Sequence, residues 1–173
     1  GFMETLNSTL TSEQILYEMA NRDSSQIISV TSSKSQEHTI LRDSILPGLL
    51  ENLSKNIHET YPQKFFESGI VFSKGAPIKE TSSLACVTAS EETHFSEMKA
   101  VLQSLLRIGF NIKCETKTLP NHVLFSQGRV AEIVVNKKTV GYIGELDSKV
   151  LENFRIRTKV VGFEIKLSGL IFD

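Results

Sequence analysis

The sequence has no Trp, four Pro, ten Gly and two Cys among 173 residues. Two lone cysteines exclude a disulfide scaffold, and so little Gly and Pro excludes a collagen-like repeat or a low-complexity linker. Cys86 and Cys114 each fall in a strand-like stretch and read as reduced core thiols, which points to a cytosolic compartment. No apolar run approaches the ~20 residues needed to span a bilayer, so no membrane segment is expected. No basic stretch followed by a long apolar one opens the chain, so no secretory or transit signal is read. Neither sign of charge dominates: 19 Lys and Arg stand against 20 Asp and Glu, a net of −1. Nothing global therefore draws the chain to nucleic acid or an anionic surface. What is present is an ordinary apolar fraction in a length that suits one domain.

Apolar spacing sets the expected elements. Thr11-Ser12-Glu13-Gln14 has capping-box spacing ahead of Ile15, Leu16, Met19 and Ala20, which predicts a short surface helix. Ile27–Thr31 reads as a strand. Ile45, Leu46, Leu49, Leu50, Leu53 and Ile57 recur at three and four, predicting a helix from an N-cap at Ser44 to about Thr60, with Pro47 in its first turn. Lys64–Ser73, with Gly69 as a bulge, and Leu84–Ala89 read as central strands. Thr93 is expected to cap a helix carrying Phe95, Met98, Leu102, Leu105 and Leu106 and ending at Gly109. Ile112, Cys114 and Thr116 alternate with charged residues. Val130–Val135 and Val140–Glu145 flank a four-residue loop, Asn136–Thr139, as a hairpin. Asp147 caps a short helix with Val150, Leu151 and Phe154, and Val161–Leu167 alternates as a last strand. The longest loop-like stretches are Ser32–Thr39 and Lys74–Ser83. Hairpins with segregated helices predict an α+β fold, a mostly antiparallel sheet flanked by helices.

Catalytic and metal chemistry is sparse. His38, His58, His94 and His122 never pair at metal-ligand spacing, and neither cysteine has a partner, so no metal site is expected. His94 and Glu97 lie one turn apart beside a helix start and read as local pairing. Gly141-Tyr142-Ile143-Gly144-Glu145 reads as a strand of a tight hairpin rather than a phosphate loop. Ser126-Gln127-Gly128-Arg129 reads as a structural turn, with an anion-binding turn as the alternative.

One constellation is more specific. Leu41-Arg42-Asp43-Ser44-Ile45-Leu46-Pro47-Gly48-Leu49-Leu50, then Asn52 and Asn56, then Pro62-Gln63-Lys64-Phe65-Phe66-Glu67-Ser68-Gly69-Ile70-Val71-Phe72, closely resembles the core of phenylalanyl-tRNA synthetase β subunits. Gly128-Arg129-Val130-Ala131, Val140 to Leu146, Val150 to Phe154 and Val161 to Leu167 resemble later segments of that family, in order. Ser68 and Asp147-Ser148 depart from its usual residues. The resemblance implies a class II synthetase-like module, non-catalytic, forming residues 1–173 as one carboxy-terminal part of a longer β chain. The missing initiator Met at Gly1 fits that expectation.

Catalytic members of the class hold ATP phosphate with an Arg in a Phe-Arg-x-Glu strand and another in a late strand-helix segment. Here the first strand reads Phe65-Phe66-Glu67-Ser68, and no Arg follows Arg157. Without those guanidinium forks the developing phosphate charge of adenylation lacks a bidentate clamp. The resemblance thus implies no catalytic residue and no cofactor in this domain, with ATP and Mg belonging to the whole enzyme. It further implies pairing with a catalytic α subunit in a cytoplasmic (αβ)2 assembly that charges tRNA(Phe). Arg42, Pro47, Asn52, Lys55, Asn56 and Glu59 are the candidate interface. A second reading is a tRNA-contacting module with Lys137, Lys138, Arg155, Arg157 and Lys159 as a basic patch. A third is an independent nucleotide-dependent enzyme using Arg42, Glu67 and Arg129 in a sheet cleft.

Overall fold

Alternation and helical spacing resolve, in the computed structural model, into β1 (Met3–Glu4), β2 (Leu10–Thr11), a π turn (Gln14–Glu18), β3 (Ile40–Leu41), α1 (Leu46–Lys55), β4 (Gln63–Ser73) and β5 (Lys79–Ser90). There follow α2 (Phe95–Phe110), β6 (Glu115–Leu119), β7 (Phe125–Val135), β8 (Lys138–Leu146), α3 (Ser148–Asn153), β9 (Lys159–Lys166) and α4 (Ser168–Ile171). The structure describes residues 1–31, 38–92 and 94–171. Strands order as β1-β4-β5-β9-β8-β7-β6, antiparallel at every neighbour except β1 with β4, while β2 and β3 pair separately. The fold is therefore α+β with a mostly antiparallel sheet.

Period-2 alternation gives the sheet two apolar faces. On one, Ile45, Leu46, Leu49, Leu50 and Leu53 of α1 and its approach pack with Val150 and Phe154 against Phe65, Val71, Val87 and Val160. On the other, Met98, Leu102 and Leu106 of α2 pack against Ile133, Ile143, Phe163 and Ile165. Helix, sheet and helix form three layers.

The N-terminus of α1 shows how the layers are tied. Ser44 is not its side-chain cap: the Ser44 hydroxyl donates to Glu164 Oε2 at 2.7 Å. Glu164 instead reaches up from β9 and accepts the N–H groups of Ile45, at 3.0 and 3.1 Å, and Leu46, at 3.1 Å. A carboxylate fits the positive end of the helix and can serve two orphan donors, which one hydroxyl cannot. Pro47 lies in the first turn, where it lacks only a donor the helix does not use.

Several local expectations are corrected. The α1 helix stops at Lys55 and not near Thr60, because Asn56 turns its side-chain N–H back on the Asn52 carbonyl at 2.8 Å. Ile57 therefore leaves the apolar face and is exposed. Ser12, not Thr11, receives the first amide of the next turn, Ile15 N–H at 3.2 Å, and that element is a π turn with Leu16 and Tyr17 buried. Ile27–Thr31 forms only an isolated bridge, Ser29 to Ile40. Gly69 is no bulge: it stays in register with Ser83. The Lys74–Ser83 stretch becomes strand from Lys79.

The α2 helix ends not at Gly109 but on Asn111 in the left-handed region, φ 55°. Ile112 N–H is then tied back to Leu106 at 2.9 Å, which delays the next strand to Glu115 and leaves Cys114 outside it. The β7–β8 connection is two residues, Asn136 and Lys137, both at positive φ, with Val135 opposite Lys138. That is the turn whose twist suits a hairpin. Asp147 does cap α3, accepting Lys149 N–H at 2.9 Å. The expectations for residues 32–37 and for Thr93 lie outside the described residues.

Replacing Glu164 by Ala leaves two helix-start donors without their acceptor, and urea unfolding should show a loss of about 2–4 kcal/mol. Burial pushes the Glu164 carboxyl above its ordinary 4.5, although the Ser44 hydroxyl, the Ile45 and Leu46 amides and the Arg22 charge pull it down. The folded chain thus holds that proton more tightly than the unfolded one, so the group's stabilisation is full below pH 4.5 and declines as pH rises to the raised value. Measured against pH-silent Glu164→Gln, wild-type stability should fall over that window; a rise would contradict the assigned sign.

Candidate functional site

The C-terminal half of α1, the chain start and the first residues of β4 frame a groove of about 600 Å³. Asn52, Asn56 and Glu59 of the candidate interface line it. Gln63 ties its floor together by donating to the Asn56 carbonyl at 2.8 Å and the Glu59 carbonyl at 3.3 Å. Gln63 Oε1 is buried and without a partner among the described residues. An unsatisfied acceptor of this kind costs about 1–3 kcal/mol until a donor reaches it. Met3 and Leu6 line the same groove and are 65% and 92% exposed. Lys55 is exposed, pairs with Glu51 at 2.6 Å and lines a neighbouring groove of about 990 Å³.

Arg42 and Pro47, two of the six candidate interface residues, are largely buried within this chain and lie in the wall of the same neighbouring groove as Lys55. Pro47 is in the core-facing first turn of α1. Arg42 donates through Nε to the Ile70 carbonyl at 3.0 Å and through Nη1 to Glu67 Oε1. The Glu67 side chain has no exposed surface. Asn7 completes the arrangement, its Nδ2 donating to Glu67 Oε2 at 2.6 Å. Gly69 makes room for the guanidinium, since a Cβ there would lie 2.2 Å from Arg42 Nη2. A single ion pair thus locks the approach to α1 onto β4.

A second ion pair escaped the sequence reading. Arg22 holds Asp43 through two bonds of 2.8 Å, and the Tyr17 hydroxyl donates to the same carboxylate at 3.1 Å. Burial, reinforced by Asp43, pushes the Tyr17 hydroxyl up to about 12. Hydrogen bonding and charge from Asp43 raise Arg22 against the opposing effect of burial. Asp43 directly follows Arg42, so that adjacent pair was the available signal. Asn7 and Glu164 lie far along the chain from their partners and gave none.

These pairs decide what the face can do chemically. Arg22 and Arg42 are both committed to carboxylates, and so is exposed Arg129, to Glu145 at 2.5 Å. Arg22 and Arg42, held in buried or partly buried pairs, are thereby closed as forks for a phosphate, while exposed Arg129 gives only Nη1 to its carboxylate. Arg42, Glu67 and Arg129 do not share a cleft: β5, β9 and β8 lie between β4 and β7, a separation of about 19 Å. Gly128 is at φ 72° with its N–H already given to the Pro120 carbonyl, so the Ser126–Arg129 segment is structural.

The five-residue basic patch is divided. Lys137 and Lys138 sit at the β7–β8 turn, whereas Arg155, Arg157 and Lys159 lead into β9. Gly141 pairs with Ile165 and Glu145 with Val161, so the two groups occupy opposite ends of the sheet, roughly 30 Å apart along the strands. His94 precedes α2 as its N-cap residue without a side-chain cap bond. Among the described residues no group of three or more His, Cys, Asp or Glu is placed to hold a metal ion. Cys86 and Cys114 are free thiols; burial pushes Cys86 up to about 12 and Cys114 above its ordinary value. No helix among the described residues is long and apolar enough to cross a membrane.

Residues 1–167 match the model of the phenylalanyl tRNA synthetase beta chain CLM domain. The chain is 37% identical to the phenylalanine–tRNA ligase beta subunit of Methanocaldococcus jannaschii over 96% of its length and 39% identical to that of Archaeoglobus fulgidus over its whole length. In both cases it spans 31% of the relative, so about a third of each curated subunit is matched. The backbone is similar to that of a pyrrolysyl tRNA synthetase from Desulfitobacterium hafniense, with a TM-score of 0.76 at 16% identity over 98% of this chain and 62% of that one. That likeness is one of fold.

Arg42→Ala strands the buried Glu67 carboxylate and should lower stability by about 3–5 kcal/mol in chemical denaturation. Gly69→Ala should also be destabilising, because its Cβ displaces the same guanidinium; wild-type stability in both variants would contradict the role given to this pair.

Proposed function

This chain belongs to the phenylalanyl tRNA synthetase beta chain family, and from that premise we propose that it is a non-catalytic assembly module that pairs with the catalytic α subunit of a phenylalanine–tRNA ligase. On this reading the chain has a class II synthetase-like fold, and activation of phenylalanine with ATP and Mg takes place on the α subunit. The working assembly is (αβ)2, and tRNA(Phe) is charged by the whole. The observation that carries the pairing is the groove beside α1. It combines exposed Met3 and Leu6, the polar side chains of Asn52, Asn56 and Glu59, and the unpartnered Gln63 acceptor. An apolar rim around a few directional polar groups suits a permanent protein partner better than a small substrate. A groove of this size is part of an obligate interface, since such interfaces bury more than ~2,000 Å².

The commitment of Arg22, Arg42 and Arg129 to carboxylates supports the absence of adenylation, as does Phe66 at the position where the catalytic pattern has Arg. The chain alone should show no phenylalanine-dependent ATP–pyrophosphate exchange above background, and measurable exchange would sink the non-catalytic reading. Leu6→Glu places a charge on a side chain that packs on almost nothing in this chain. Its circular dichroism and melting should match wild type while retention of co-expressed α subunit falls at least roughly tenfold, as burial of an unpaired charge implies. Undiminished retention would remove the groove from the interface.

A further inference from the structure

Residues 14–22, the π turn and the four residues after it, pack beside α1 and wall the groove of about 990 Å³ through Gln14, Ile15, Leu16 and Met19. Arg22 and Tyr17 fasten them to one carboxylate, Asp43. The hydroxyl of the next residue, Ser44, and the two amides after it go to a second carboxylate, Glu164. Two acids are thus set side by side at the start of α1, and the charge of Arg22 reaches both. The sheet adds two more titratable groups. Tyr142 of β8 is the register partner of Glu164, and the His122 ring lies 4.5 Å from the Tyr142 ring and 5.1 Å from that of Phe125. On the β5 side the register partner is Ala85, which has no charge to contribute. Glu164 is therefore faced by Arg22, by Ser44 with two amides, and by Tyr142, while Asp43, Tyr17 and His122 stand behind those groups. The Tyr17 hydroxyl, pushed up to about 12 by burial and Asp43, stays neutral in any ordinary buffer.

We propose that residues 14–22 form a proton-released latch, fastened while Glu164 is ionised and His122 neutral, and loosened when either takes a proton from solvent. Reciprocity sets the direction. Burial favours the neutral form of both groups; the Arg22 charge opposes burial at Glu164 by favouring the carboxylate and reinforces it at His122 by disfavouring the imidazolium. Whatever factor Arg22 imposes on the proton affinity of either group, a proton there imposes on the seating of Arg22. Acidification therefore removes an attraction at Glu164 and adds a repulsion at His122, and both act on one guanidinium. Displacing it releases Asp43 and the Leu16 carbonyl, which Arg22 also holds at 3.3 Å, and so frees that wall of the groove. Asn153 still donates to the Met19 carbonyl at 3.0 Å, so the Arg22 end of the segment is the one set loose. The same carboxyl works in opposite senses on the latch and on the fold. As pH rises through its raised value, Glu164 contributes less to global stability and more to closure of the latch.

The test is amide hydrogen exchange of the full chain between about pH 8 and pH 5, corrected for the intrinsic pH dependence of exchange. The reporters are the Met19 and Arg22 amides, bonded to the Gln14 carbonyl at 2.9 Å and the Tyr17 carbonyl at 2.8 Å. The reference is the Leu49 amide of α1, bonded to the Ile45 carbonyl at 3.2 Å. Acidification should speed both reporters at least about fivefold relative to Leu49, the lower end of ordinary coupling between sites. His122→Phe, which keeps a ring against Tyr142, and Glu164→Gln should each shrink that change in ratio. Arg22→Gln should leave both reporters fast at either pH. The latch is overturned if the ratio is the same at both ends of the range, if it falls on acidification, or if Arg22→Gln exchanges as wild type does. It is also overturned if His122→Phe or Glu164→Gln retains the whole pH effect. Because His122 takes no part in the start of α1, its variant decides the matter even where Glu164→Gln fails to fold.

Discussion

The Glu164 carboxylate beneath the start of α1 is the constraint on which the arrangement depends. It comes from the strand at the middle of the sheet and satisfies a helix whose other end bounds the groove proposed for a protein partner. A helix held only by its apolar stripe could slide along the sheet by a turn and keep most of its burial. Two directional bonds to one side chain remove that freedom, because register and tilt must both be right for a single carboxylate to meet two successive amides. The Arg42–Glu67 pair then fixes the incoming chain to β4, so that both ends of the approach to α1 are referenced to the same sheet.

What could be seen in the sequence followed from how local the cause was. The leucine stripe of α1, the alternation in β9 and the Asp147 cap each depend on neighbours within a few residues, and each is where the pattern placed it. The Ser44 cap was misassigned for the opposite reason: the competing carboxylate lies 120 residues away in sequence, and no window around Ser44 contains it. Gly69 looked like a bulge because its true cause, the room needed by Arg42, is likewise distant. The Asn136-Lys137 turn was read as longer than it is because lysine at positive φ is uncommon.

The candidate site divides in the same way. Asn52 of α1 lines one groove with Asn56 and Glu59, which lie just beyond the helix end. Arg42 and Pro47 were drawn to the interface by a motif whose burial only the three-dimensional packing could reveal. The basic residues were grouped by proximity in a sequence list, while the antiparallel pairing of β8 and β9 sends them to opposite ends. Charge in this chain is therefore a local matter. Arg22 and Arg42 are spent on pairs that build the fold, whereas among the described residues Arg107, Arg155 and Arg157 form no ion pair.

Arg42 has one more effect, arising from where its bonds land. Among the described residues only Phe65 and Phe66 of β4 pair with β1, so most of the outer margin of that eleven-residue strand has no described strand beside it. Arg42 covers part of that margin: its carbonyl accepts Phe72 N–H at 2.8 Å and its Nε satisfies the Ile70 carbonyl. Backbone groups that would otherwise template another chain are occupied by a side chain and a loop, which cannot extend into a further strand. The residue that anchors the helix approach is thus also a stopper on sheet growth, and its removal would expose a sticky margin as well as a stranded charge.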